Sequence, residues 1–143
     1  INTEDILGLS VGTRPDCIDA EKIKLLESYT DRFDVDIEMG MESIYDDTLI
    51  KINRGCLHAE FEQALALLAD SNLDVCIHTI FGFPWETKEM MLKYADEINR
   101  FDKIKFVKFH HLHIVLSKYH HLLQVLMTQT TACQSVDCTR HLL

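Results

Sequence analysis

A parallel α/β fold is the class predicted for this chain, and three observations predict it. Four apolar runs, at about residues 6–11, 35–39, 73–81 and 106–115, read as strands. The segments between them carry apolar residues at helical spacing. The connections are short, and such alternation means parallel strands joined by right-handed crossovers. About four strands and their helices fit a partial (β/α) TIM-like barrel or a small open α/β sheet.

Each element has a local reason. Ile6 to Val11 is apolar, and Pro15 stops the ladder. Asp19 is a good N-cap for a helix with Ile23, Leu26 and Tyr29 on one side. Val35-Asp36-Ile37-Glu38-Met39 alternates apolar and acidic, as a strand does. A short helix through Leu49 and Ile52 follows, with Gly55 placed to end it. Phe61, Leu65 and Leu68 mark the next helix, and the run from Leu73 to Phe81 closes at Gly82-Phe83-Pro84. Thr87 can cap a helix that turns Met91, Ala95 and Ile98 inward. Phe106 to Val115 is the fourth strand. Residues 1–115 therefore form one unit. In 116–143, Tyr119, Leu122, Leu123 and Leu126 predict an amphipathic helix, and the polar tail after Thr128 should fray.

Bulk properties exclude several classes. With 143 residues there is room for one domain with a real core. Apolar residues at 47% and charged residues at 26% are ordinary for a globular protein. No apolar run approaches the roughly 20 residues needed to span a bilayer, and no signal peptide is visible. A cytoplasmic location is the expectation. The net charge of −9 lacks the basic face that nucleic-acid binding needs. The five cysteines are read as reduced thiols. The chain begins at Ile1 and opens almost directly into an apolar run, which suggests a piece of a longer protein.

In a parallel α/β fold, ligand groups gather at the C-terminal ends of strands. Thr13, Arg14, Glu42, Gly82 and His113 fall there. Gly12 lets a ligand approach the backbone, and Arg14 can grip a carboxylate; the alternative is a turn with Arg14 paired to Asp16. Glu38 and Glu42 need partners if buried, and Arg54 suits one of them or a ligand carboxylate. The stretch from His78 to Thr87 brings flat apolar side chains beside free amides, which suits an adenine-like ring. His111 and His113 share a strand face opposite His110; they line the interior, or bind a metal if a third ligand arrives. Cys133, Cys138 and His141 do not have zinc-knuckle spacing.

Taken in order, Ser-Val-Gly-Thr-Arg-Pro-Asp (Ser10–Asp16), Glu-Met-Gly-Met-Glu-Ser (Glu38–Ser43), Ile-Asn-Arg-Gly (Ile52–Gly55), Ile-Phe-Gly-Phe-Pro-Trp-Glu-Thr (Ile80–Thr87) and Leu-His-Ile-Val (Leu112–Val115) resemble one family. They are similar to the radical S-adenosylmethionine (radical SAM) proteins related to the elongator catalytic subunit and to oxygen-independent coproporphyrinogen oxidase. The nearest group is bacterial and often labelled Fe–S oxidoreductase. The resemblance runs from about Leu7 to Val115. It implies a partial (β/α)6 barrel that binds S-adenosylmethionine beside a [4Fe–4S] cluster. In such enzymes the reduced cluster cleaves the cofactor to methionine and a 5′-deoxyadenosyl radical.

Carried over by position, the resemblance places Arg54 on the methionine carboxylate or the ribose, with Glu42 nearby. It places His78 against the ribose and puts Ile80 and Gly82 along the adenine slot. Gly12 stands where several relatives keep a Glu for the cofactor's amino group, a contact left to Thr13 or Arg14. The family's Cys-x3-Cys-x2-Cys triplet does not occur in this chain. Its usual place is upstream of everything matched, so a cluster is expected in the parent protein and not in this chain, and the isolated chain is expected to be inactive. The reading from residues alone keeps two alternatives: a non-catalytic α/β module that forms a homodimer through an open barrel edge, and a zinc protein using His111, His113 and the tail cysteines.

Overall fold

The computed structural model describes residues 6–116, 123–128 and 134–135, with side chains described up to 113. Strand β1 (Gly8–Thr13) stops just before Pro15, and Pro15–Cys17 make a single 3-10 turn. Asp19 caps α1 (Ala20–Glu27), accepting from the Lys22 amide at 2.9 Å. Strand β2 (Asp34–Glu42) leads into the short α2 (Asp46–Lys51). In α3 (His58–Leu68) two acidic side chains meet the first amides: Glu60 accepts from Leu57 at 3.0 Å and Asp46 from His58 at 2.9 Å. Strand β3 (Asp74–Phe81) precedes α4 (Lys88–Ile98), whose Met90 amide donates to the Thr87 cap at 3.2 Å.

Strand β4 (Ile104–Leu116) completes the parallel set, paired in the order β1-β2-β3-β4. Sequential order with right-handed crossovers puts every helix on one face. Val35, Ile37, Met39 and Met41 of β2 and Val75 and Ile77 of β3 meet Ile23 of α1, Phe61, Leu65 and Leu68 of α3, and Tyr94 and Ile98 of α4. Each fully buried aliphatic chain contributes about 1.5–3 kcal/mol. No helix among the described residues is long and apolar enough to cross a membrane.

Four local expectations are corrected. Leu123–Thr128 is a strand, β5, antiparallel to β4 from His111↔Thr128 to Leu116↔Leu123, so Leu123 and Leu126 do not sit on a helix. The long β4 offers an edge of backbone donors and acceptors, and pairing with it outweighs the helical spacing. Tyr119 and Leu122 lie outside the described residues. A two-residue β6 (Gln134–Ser135) also pairs with β4. The inward positions of α4 are Tyr94 and Ile98, with Met91 partly buried, whereas Ala95 is exposed; the larger Tyr94 ring takes the core-facing place. Tyr29 lies beyond the end of α1 and is 41% exposed. Finally, α2 ends through Asn53 rather than Gly55. Asn53 has φ 53, its amide donates to the Ile50 carbonyl at 3.0 Å, and the Arg54 amide reaches the Leu49 carbonyl at 2.9 Å. That paired closure is a Schellman turn, and it fixes the next residue, Arg54.

Candidate functional site

Strand period two sorts the sheet into a helix-covered face and a cleft face. Along β2 the apolar residues point to the helices, so Asp36, Glu38 and Gly40 fall on the other side. The same alternation puts Ser10 and Gly12 of β1, His78 and Ile80 of β3, and Lys108 and His110 of β4 on the cleft face. The contacts agree: Ser10 donates to Asp36 at 2.6 Å, and Lys108 and His78 both reach Glu38.

At the C-terminal ends of β1–β3 this face opens into a cleft of about 380 Å³. Six predicted site residues line it, Gly12, Thr13, Arg14, Glu42, Arg54 and His78, joined by Glu38 and Gly40. A Cβ on Gly12 would meet nothing within 4 Å, so this glycine leaves room beside the strand end.

Glu42 and Arg54 face each other across Gly40. The register slips between Gly40 and Glu42, and Glu42 takes φ 61. Such a conformation in a non-glycine residue costs on the order of 1–3 kcal/mol and tends to occur at functional sites. Arg54 donates to the Gly40 carbonyl at 3.0 Å and lies 3.4 Å from Glu42 Oε1. Among the described residues, Glu42 Oε2 and Arg54 Nε are buried without a hydrogen-bond partner. Burial pushes the Glu42 carboxyl up from its usual range, and the Arg54 charge opposes that shift. Beside them, Arg14 is held by Asp16 through its Nε at 2.9 Å and a second guanidinium contact, the surface pairing the sequence allowed. Gly55, at φ 81, brings its backbone under this guanidinium: an added Cβ would stand 3.4 Å from Arg14 Nη1.

A second set runs across the sheet from the cleft wall. His78 Nε2 lies 2.9 Å from Glu38, and His78 Nδ1 lies 2.9 Å from His110 Nε2. Both ring nitrogens of His78 are thus engaged within the chain. The Lys108 hydrogen bond, with help from His78, holds the Glu38 carboxyl below its usual range despite partial burial. Burial pushes the His110 imidazole down, with His78 and Lys108 adding to this and Glu38 opposing it.

Comparison with known proteins gives this constellation its context. The family model described as the radical SAM superfamily matches residues 2–98. The chain belongs to the radical SAM superfamily. It is 35% identical to protein YhcC of Escherichia coli (strain K12) over 116 residues, which is 80% of this chain and 37% of that protein. It is 32% identical to the uncharacterized protein MJ0486 of Methanocaldococcus jannaschii over 116 residues, 80% of this chain and 36% of that one. Among solved structures it matches the archaeal Methanocaldococcus infernus Elp3 with an N-terminal deletion. That match has a TM-score of 0.66 and 29% identity, and covers 78% of this chain and 26% of the other. The chain therefore spans a little over a third of the length of these curated relatives. The α/β fold with four parallel strands corresponds to part of a radical SAM barrel.

Within this radical SAM fold the remaining predicted residues stand apart from the cleft. Ile80 is buried on the cleft face one pleat beyond His78, and Gly82, at φ 97, makes the exit from β3. His111 and His113 are exposed on the helix side of β4, where Phe109 stacks on Phe81 at 5.2 Å, so they do not line the interior; His110 does. The tail cysteines and His141 lie outside the described residues.

Sequence reading passed over Gly40, Lys108 and His110 as site residues; period two from Glu38 and His78 was the signal available. It also passed over Glu86. This carboxylate, 7% exposed, accepts from Ser43 at 2.7 Å, Thr48 at 2.6 Å and Tyr94 at 2.8 Å, and Trp85 donates to Thr48 at 2.9 Å. It ties the end of β2, α2, and α4 together behind the cleft.

The chemistry of the donors can be tested against the cofactors the family implies. An amino-acid moiety carries a carboxylate and an ammonium. The orphaned Arg54 Nε and Glu42 Oε2 are a complementary pair, so the cleft fits the methionyl end of S-adenosylmethionine. A [4Fe–4S] cluster needs convergent thiolates. Cys17 is exposed, Cys56 and Cys76 are buried, and no three thiols come together among the described residues, so the donors for a cluster are not among them.

Proposed function

We propose that this chain is the S-adenosylmethionine-binding part of a radical SAM enzyme, with the cleft between Arg14, Glu42 and Arg54 holding the methionyl and ribose end. The observation that carries this reading is the pair of buried, unpartnered polar atoms, Glu42 Oε2 and Arg54 Nε, at the C-terminal ends of parallel strands. Arg54 takes the carboxylate and Glu42 the ammonium, with Thr13 and the space over Gly12 beside them. His78 contributes the shape of the cleft wall, since its nitrogens are committed to Glu38 and His110. Ile80 and Gly82 stand further along, on the side assigned to the adenine. When bound beside a reduced cluster, S-adenosylmethionine supplies a 5′-deoxyadenosyl radical for hydrogen abstraction from a substrate. The residues described here bind and orient; a cluster belongs to the parent protein.

Isothermal calorimetry with S-adenosylmethionine tests the reading. A saturable heat, weakened at least about tenfold by Arg54→Met, is the expected result. No heat with the wild-type chain overturns it. After anaerobic incubation with iron and sulfide, the chain alone is expected to form no 5′-deoxyadenosine.

A second reading draws on β1. It ends the described sheet, with Leu7 82% and Leu9 39% exposed. Such an edge favours pairing with another chain, in a binding or oligomerisation module. Sedimentation at several concentrations separates the two: a strict monomer removes the second reading.

A further inference from the structure

We propose that Lys108, Glu38, His78 and His110 form a proton relay, with His110 Nδ1 as its receiving end for an N–H or O–H group of a ligand lying against β4. The inference rests on the cleft being a ligand site, as proposed above, and extends that site to β4.

The hydrogen bonds fix where each proton sits. Lys108 donates to Glu38 and keeps this carboxylate ionised. An ionised carboxylate only accepts, so His78 must carry its proton on Nε2, 2.9 Å away. In a neutral imidazole the other nitrogen is then an acceptor. His78 Nδ1 therefore receives a proton from His110 Nε2, again at 2.9 Å. That leaves His110 with a bare lone pair on Nδ1. This atom is buried and has no partner among the described residues, and the residue is 5% exposed. One ionised group on β2 thus dictates the tautomers of two rings on two further strands.

The placement suits reception of a proton from a ligand. In the sheet register His78 stands opposite Lys108, whereas His110 stands opposite Ile80. His110 is thus the member nearest the C-terminal strand ends, where ligands of this fold gather. The two rings stack with centroids 5.0 Å apart and planes 23° apart. The charged groups acting on His110 are Glu38 on β2, His78 on β3 and Lys108 on its own strand. Arg54 and Glu42 lie across the cleft from His78.

The step balances without an oxidant or reductant. The ligand's N–H or O–H bond breaks, its electron pair stays on the ligand, and its proton binds His110 Nδ1. The proton on His110 Nε2 moves to His78 Nδ1. His78 becomes an imidazolium against the Glu38 carboxylate, while Lys108 stays charged. Glu38 and His78 line the cleft wall, Lys108 acts through Glu38, and His110 is the member that would take the proton from the ligand.

Nitrogen-15 NMR of histidine-labelled chain, recorded without ligand from about pH 5 to pH 8, tests the relay. A bare Nδ1 on His110 and a protonated Nε2 on both rings are expected. Glu38→Gln lowers the His110 midpoint, because the carboxylate favours the charged imidazole. Lys108→Met raises it, since a repelling charge is gone. Two variants of opposite sign keep the test open if one fails to fold. A proton on His110 Nδ1, or a His110 midpoint that neither variant moves, overturns the relay. Calorimetry on the same samples judges S-adenosylmethionine binding separately, so failure of the relay and failure of the proposed function give different results.

Discussion

Two carboxylates in this molecule are equally hidden and differently treated. Glu86 is 7% exposed and Glu42 is 8% exposed. Glu86 collects three hydroxyl donors from Ser43, Thr48 and Tyr94. Glu42 has one guanidinium contact at 3.4 Å, an orphaned Oε2 and a left-handed backbone. A buried carboxylate must be met by donors or it costs stability. Behind the cleft that demand is satisfied inside the chain, and the result is a lock between elements. Inside the cleft it is left open, and the result is a place prepared for something else.

The largest expected effect lies on the satisfied side. Glu86→Ala strands the hydroxyls of Ser43, Thr48 and Tyr94 in the interior, and should cost about 3 kcal/mol or more. The urea midpoint should fall, with little change in intrinsic cleft affinity where the fold persists. Equal destabilisation by Glu42→Gln would erase the contrast between the two sites.

Next comes Arg54→Met. Glu42 loses the charge that opposes its burial, and its carboxyl should rise further. Binding of S-adenosylmethionine should weaken at least about tenfold, since charge-assisted hydrogen bonds contribute about 1.5–3 kcal/mol. The fold should change little. Unchanged affinity would make Arg54 a partner of Glu42 and the Gly40 carbonyl alone.

Gly40→Ala probes arrangement without removing a charge. The new Cβ would stand 2.6 Å from Arg54 Nη2 and nearer still to a Glu42 oxygen. Both are ends of flexible side chains and can swing aside, so a stability loss of about 1 kcal/mol is expected. Affinity should fall by more than stability suggests, because the pair can no longer close over the strand. A variant that binds like wild type would show that the spacing over Gly40 is incidental.

These residues also show what the sequence made legible. Strand alternation around Val35 to Met39 and the caps Asp19 and Thr87 are local signals, and the fold repeats them. Thr13, Arg14, Glu42 and Arg54 stand out in the sequence because they sit at strand and helix ends carrying a family pattern, and all four line the cleft. Gly40, Lys108 and His110 do not stand out, because their roles depend on register between strands, which no single segment encodes. Glu86 looked like part of a turn, since its three donors come from residues 8 to 43 positions away. The strand at Leu123–Thr128 was read as a helix because its partner edge on β4 is a tertiary feature that overrides local spacing.

The smallest effect is the pH dependence of Glu42→Gln. Burial raises the folded-state pKa of Glu42, so folding favours its protonated form. The associated stability is fully present below the unfolded carboxylate value, about 4.3, and is lost as pH rises through the higher folded value. Gln resembles the protonated acid in shape and stays neutral. The variant and wild type should therefore match at low pH, and the variant should become the more stable as pH climbs toward neutrality, by about 1 kcal/mol or less. Melting temperatures measured across that range give the sign directly. If the wild type gains on the variant as pH rises, Arg54 satisfies Glu42 as fully as the three hydroxyls satisfy Glu86, and the cleft is a second lock rather than an open site.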